Sequence, residues 1–177
     1  MEKIKSFLST WYGVATLGTV VTIILNSTIF SVYLSSSVPQ GWDGAGHFVA
    51  SVEYAEHIFP RAWGWLSQWS GGLPYPQYYP PLFITFFALL YKIFFFIPEL
   101  VIFHTGIVFA QIGSIWVYAL LLKKHNLSVM GQYFGISCYI LFICSFFPIL
   151  GVIGLTINST LNTAMAPQLF SGICFML

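Results

Sequence analysis

From Leu82 to Leu122 the chain stays apolar for about 40 residues, twice the roughly 20 that carry a helix across a 30 Å hydrocarbon layer. The clear break is at Pro98-Glu99. In lipid every backbone N–H and C=O must find its partner inside the protein, so a run of this kind folds as helix. Two spanning helices over about 81–97 and 100–122, joined by a tight turn at the break, are the expectation. Composition points the same way: 58% of the 177 residues are hydrophobic and 6% are charged, whereas a soluble domain is roughly 45–50% apolar.

Two more spans follow from the same reasoning. The run from about Trp11 to Tyr33 is too long for the apolar core of a signal peptide, about 7–15 residues, so with Lys3 and Lys5 before it this run reads as an uncleaved anchor. The positive-inside rule then keeps the amino terminus cytoplasmic. After the polar break at Asn126 to Met130 a further span is expected over Gly131 to Ile157, kinked at Pro148. The last residues turn apolar after Pro167 and end at Leu177 without a polar flank, which suggests a fifth span cut short. The predicted architecture is all-α, a polytopic transmembrane helix bundle of about four spans and a partial fifth. Residues 1–177 are expected to form the amino-terminal piece of a longer membrane protein in the cell membrane. On this alternation Lys3, Lys5 and Lys92 lie inside, while Arg61, Lys123 and Lys124 lie outside.

Residues 35–81 form the one sizeable loop, and it collects Asp43, Glu53, Glu56 and Arg61. Within Gly44 to Phe59 the apolar residues Phe48, Val52, Ala55 and Phe59 recur at helical spacing, opposite Glu53, Glu56 and His57. An interfacial helix lying along the membrane surface is predicted. Asp43 stands where an N-cap residue would, and His47 follows at i+4, so carboxylate and imidazole are placed to face one cavity, or else to form a cap and a surface pair. Beyond Phe59 the density of Pro, Gly, Trp and Tyr ends the helix and implies a rigid, irregular segment. Its rings suit either an aromatic belt at headgroup level or a sugar platform, with Arg61 as a phosphate-binding fork.

The remaining polar inventory excludes several classes. A net charge of +1 offers no basic face for nucleic acid. Cys138, Cys144 and Cys174 all lie in apolar runs and read as small buried hydrophobes rather than a disulfide or metal framework.

Asp43, His47, the stretch FPRAWGWLSQWSGGLP and then YYPPL resemble, in that order, the first-loop signature of the 6-pyruvoyl-tetrahydropterin synthase-related membrane proteins. That family looks like a branch of the GT-C superfamily of lipid-linked-sugar glycosyltransferases. Ala62 separates Arg61 from Trp63 where the family pattern has Arg-Trp adjacent. The resemblance implies an integral membrane enzyme that moves a sugar from a polyprenyl-phosphate donor to an extracytoplasmic acceptor. It makes Asp43 the catalytic base, with His47, Arg61, Trp63 and Tyr79 as substrate-binding residues. It leaves open a divalent metal, Mg or Mn, held by Asp43 with help from Glu53 or Glu56. Such chemistry needs a base for the acceptor hydroxyl and cationic groups for the departing phosphate.

Two alternatives stand beside it. A transporter component would line a path with buried ionisable groups, for which Lys92, Glu99 and His104 are the candidates. A non-catalytic lipid-binding or assembly subunit would keep the fold without the reaction.

Overall fold

The computed structural model describes residues 2–39, 43–67, 71–75 and 81–144. Among them are seven α-helices, one π-helical turn and one two-stranded hairpin, so the chain is mostly helical. The expected partial fifth span and the Pro148 kink lie outside the described residues.

Helix α6, Glu99–Lys124, is long and apolar enough to cross a membrane. Its sequence specifies both ends. Pro98 precedes it, Glu99 sits in its first turn and Lys123 and Lys124 in its last, which complements the helix dipole at each end. Asn126 then takes the left-handed conformation, φ 56°. Its N–H donates to the Lys123 carbonyl, and the Leu127 N–H to that of Leu122. These two bonds are the Schellman pair that closes a helix, and Asn is the non-glycine residue that tolerates the position best. Ser128 restarts the chain at once, its Oγ accepting from the Gly131 N–H at 3.2 Å to cap α7, Val129–Ile143.

Helix α1, Glu2–Leu8, meets α2, Trp11–Leu25, at an 87° corner. A Cβ at Gly13 would collide with the Phe7 carbonyl, so the corner requires glycine there. After Asn26 the chain continues as α3, Ser27–Ser35. The expected first span is therefore two helices, broken where the Asn26 amide donates to the Thr22 carbonyl and to Cys144 Sγ.

Side-chain pairs fix how these helices run. Lys123 Nζ sits over the Trp11 ring, Trp116 Nε1 donates to Thr19 Oγ1 at 3.0 Å, and the Tyr33 and His104 rings are 4.5 Å apart. Descending numbers on α6 meet ascending numbers on α2 and α3, so α6 is antiparallel to both. Helix α7 is antiparallel to α6 in turn: Tyr118 stacks on Tyr139, and Gly135 faces Leu122. Gly18 brings α2 against Ile115 and Ile136 together, the small-residue contact that lets helices approach closely.

Helix α5, Pro81–Ile93, is shorter than the span expected over 81–97. Phe94, Phe95 and Phe96 continue the apolar run as a turn rather than α-helix, and Pro98 disfavours helical geometry at Ile97, the residue before it. Phe83 and Phe87 are buried against Phe103 of α6, with centroids 6.2 and 5.0 Å from its ring. Cys138 is exposed on α7, not buried as its apolar surroundings suggested.

Candidate functional site

The loop expected to carry the site folds as α4, Gly44–Glu53, followed without a break by a π-helical turn, Tyr54–Ile58. Its buried stripe is Gly44, His47, Ala50, Ser51, Tyr54, Ala55 and Ile58. Of the expected apolar face Ala55 is buried, while Phe48, Val52 and Phe59 are only half buried. Two causes explain the rotation. Ala50, Ser51 and Ala55 are small enough to let α4 lie close on α5, and the π turn inserts extra backbone that shifts everything after Glu53. The helix thus packs into the protein, tied to α5 by a 3.0 Å hydrogen bond between Ser51 Oγ and the Tyr91 hydroxyl.

Asp43 holds the N-cap position but does not cap: its carboxylate makes no bond to the first turn, and its side chain is exposed. Its backbone carbonyl accepts from the His47 N–H at 2.9 Å. The His47 ring turns the other way, 6% exposed and edge-on to Phe83 at 5.7 Å. One end of α4 therefore offers an exposed carboxylate and a buried imidazole.

Glu53, Glu56 and His57 gather near the far end. His57 Nε2 is 3.5 Å from Glu53 and 3.8 Å from Glu56. At ~1.5 Å per residue, Glu53 stands about 15 Å along the axis from Asp43. Among the described residues no three His, Cys, Asp or Glu side chains gather to hold a metal ion, so they do not fit a divalent ion at Asp43.

Arg61 comes just after the helix. Its N–H donates to the Ile58 carbonyl, its own carbonyl accepts from the Tyr54 hydroxyl at 2.7 Å, and its guanidinium reaches back to the His57 carbonyl at 3.4 Å. Most of the α4 and π-turn length, roughly 20 Å at ~1.5 Å per residue, separates it from Asp43. Sequence proximity suggested one cluster, yet the structure does not bring Arg61 to Asp43.

Trp63 precedes β1, Gly64–Leu66, which pairs antiparallel with β2, Leu73–Tyr75. Leu66 and Tyr75 point inward and Gly64 lies against Ile58. Trp63 and Trp65 alternate outward, 68% and 62% exposed. Trp65 was not among the expected binding residues, although the period-2 alternation with Gly64 and Leu66 signals it. Tyr79 lies outside the described residues.

An apolar groove of about 450 Å³ opens between α5 and α6, lined by Phe86, Leu90, Phe94, Ile97 and Val101 among others. No family model, no curated protein and no solved structure matches the chain.

Proposed function

We propose that the chain belongs to a membrane-embedded, GT-C-like glycosyltransferase, moving a sugar from a polyprenyl-phosphate donor to an extracytoplasmic acceptor. The observation that carries this reading is the placement of Asp43 relative to the lysines. Phe48 of α4 packs on Phe103 of α6 with centroids 5.4 Å apart. From Phe103 to Lys123, α6 then rises about 30 Å at ~1.5 Å per residue, the thickness of a hydrocarbon layer. The lysine-rich end and the acidic loop are therefore about one hydrocarbon layer apart along the bundle, a separation that supports a loop at one membrane surface, where a lipid-linked donor and an aqueous acceptor can meet.

In the reaction the acceptor hydroxyl attacks the anomeric carbon, Asp43 takes the hydroxyl proton, and the polyprenyl phosphate leaves with the electron pair of the broken C–O bond. A leaving group that is already a phosphate needs no general acid, unlike that of an ordinary glycoside. The exposed Asp43 carboxylate, committed to neither a cap nor an ion pair among the described residues, is available for this work. The α5–α6 groove offers the lipid tail an apolar track on the same half of the bundle.

Asp43→Asn tests the proposal. The variant is expected to insert and fold as the parent does and to lose transfer by at least a hundredfold, within the range general-base removal produces. Undiminished transfer would remove Asp43 from the chemistry.

A second reading, a transport component, draws on a buried polar seam in α6. His104 is 2% exposed with its Nε2 unpartnered among the described residues, and both amide atoms of Gln111 are unpartnered at 0%. Solute flux in proteoliposomes that disappears in His104→Ala would favour it over transfer.

A further inference from the structure

The two indoles of the β1–β2 hairpin do not look inward, and a membrane belt is not their best explanation. Among the described residues from Phe59 to Tyr75, Trp63 and Trp65 are the only exposed large apolar side chains. A loop built to enter the hydrocarbon would carry exposed aliphatic or phenyl side chains as well, of the kind that Phe94, Phe95 and Phe96 present between α5 and α6. In the sequence the hairpin flanks its indoles with Gly64, Ser67, Gly71 and Gly72 instead.

The indoles are also held. Gly71 and Gly72 take positive φ, 92° and 110°, which bends β2 back over β1. A Cβ on Gly72 would overlap the Trp65 ring, so glycine lets the backbone come close against that indole at its Nε1 and Cε2. The register places Trp65 opposite Pro74 on the outward side. Since Trp65 is backed by backbone and flanked by a rigid ring, it loses little freedom when something stacks on its open face. Trp63 stands two residues away on the same side, roughly 7 Å along an extended chain. Two open indoles at that spacing match the C–H faces of successive sugar rings. Arg61, two residues before Trp63, adds a cation complementary to an anionic substituent, its guanidinium turned back toward the His57 carbonyl at 3.4 Å.

We propose that Trp63 and Trp65 form a carbohydrate-binding platform that holds the acceptor as a glycan chain several units long. This rests on the transferase reading and deepens it: the platform lies near the opposite end of the α4 and π-turn helix from Asp43. Only an extended acceptor can touch the indoles while presenting its terminal hydroxyl to that carboxylate. Arg61 then serves the acceptor rather than the departing phosphate.

The test uses the full chain in nanodiscs of phosphatidylethanolamine and phosphatidylglycerol, with no sugar donor present. It is applied to an array of defined oligosaccharides from one to six units, and the best ligand is titrated by saturation-transfer NMR. The expected result is binding that strengthens with chain length. Trp65→Ala and Trp63→Ala should each weaken it at least tenfold, Trp65→Phe should restore part, and Gly72→Ala should weaken it while leaving both indoles in place. A second measurement guards against misfolded variants: nanodiscs with brominated acyl chains should leave the emission contributed by Trp63 and Trp65 unquenched, as judged against Trp63→Phe/Trp65→Phe. Quenching of that emission identifies a lipid belt and overturns the proposal, as does an array with no ligand or with ligands indifferent to both tryptophans. Because no donor is used, the two readings fail separately: glycan binding without transfer sinks only the transferase, and transfer to monosaccharides with no glycan binding sinks only the platform.

Discussion

Lys123 Nζ lies 5.2 Å from the centre of the Trp11 ring, one helix end resting on the start of another. This contact puts Lys3, Lys5, Lys123 and Lys124 at one end of the bundle, and it changes the charge count. Simple alternation of four spans left three basic residues on each side. With α6 antiparallel to α2, and α5 too short to return the chain across, Arg61 and Lys92 are left on the opposite side to the other four.

That arrangement predicts a labelling pattern. In a background with Cys138, Cys144 and Cys174 replaced by alanine, Lys92→Cys should react with an impermeant maleimide in intact cells. Lys5→Cys and Lys124→Cys should react only after permeabilisation. If Lys92 instead labelled with Lys5 while Lys124 labelled from outside, the four-span alternation would stand and the compact α5 would not.

Two glycines should answer alanine in opposite ways. At Gly13 the added methyl meets the backbone carbonyl of Phe7, which cannot rotate aside, so Gly13→Ala should open the α1–α2 corner and cost on the order of 1–3 kcal/mol. At Gly113, inside α6, nothing lies within 4 Å of the new Cβ. Gly113→Ala should stabilise by about 0.5–1 kcal/mol through helix propensity alone. Thermal unfolding in a single detergent, scored by helical circular dichroism, compares the two directly.

Local chemistry made the ends of α6 legible. Pro98, Glu99, the lysine pair and Asn126 are signals read over a few residues, and the helix ends lie within two residues of expectation. What depends on distant partners was not legible. The apolar run continues through Phe94–Phe96, so hydropathy alone extends α5 past Ile93; only Pro98 marks the difference. The buried face of α4 turned out to be the one with small side chains, because fit against α5 outweighs the hydrophobicity of Phe48 and Val52. Asp43 and Arg61, eighteen positions apart by their numbers, read as neighbours in a loop, yet a continuous helix keeps them apart. The π turn has no sequence signature, and it re-aims every side chain that follows it.

The Ser51–Tyr91 bond should behave as a local clamp between the candidate site and α5. Ser51→Ala and Tyr91→Phe each remove one hydroxyl and leave the other buried without this partner. Each single change should cost more than the pair contributes, and the double-mutant cycle should return a coupling of about 0.5–1.5 kcal/mol. A coupling near zero would mean that α4 is held by its packing on Phe83 and Phe103 alone.

Gln111 offers the last and sharpest prediction. Its side chain is fully buried, and neither amide atom has a hydrogen-bond partner among the described residues; Thr22 Oγ1, on α2, shares that condition. The pairs Thr19–Trp116 and Tyr33–His104 bracket this level of the α2–α6 seam, so the two unpartnered groups stand close to opposite one another. A buried amide without partners costs roughly 1–3 kcal/mol, and removing both polar groups can be neutral or stabilising. Gln111→Leu, with similar volume, should therefore leave stability unchanged or raise it by about 1–3 kcal/mol, and Gln111→Leu/Thr22→Val should gain more than either alone. Activity then separates the two roles of the seam. Transfer should survive both substitutions, since Gln111 lies about 12 Å along α6 from Phe103 at ~1.5 Å per residue, away from α4. A transport function carried by the seam should not survive them. Loss of stability in Gln111→Leu would show instead that the amide has a partner in the assembled protein, and that the seam was built to keep it.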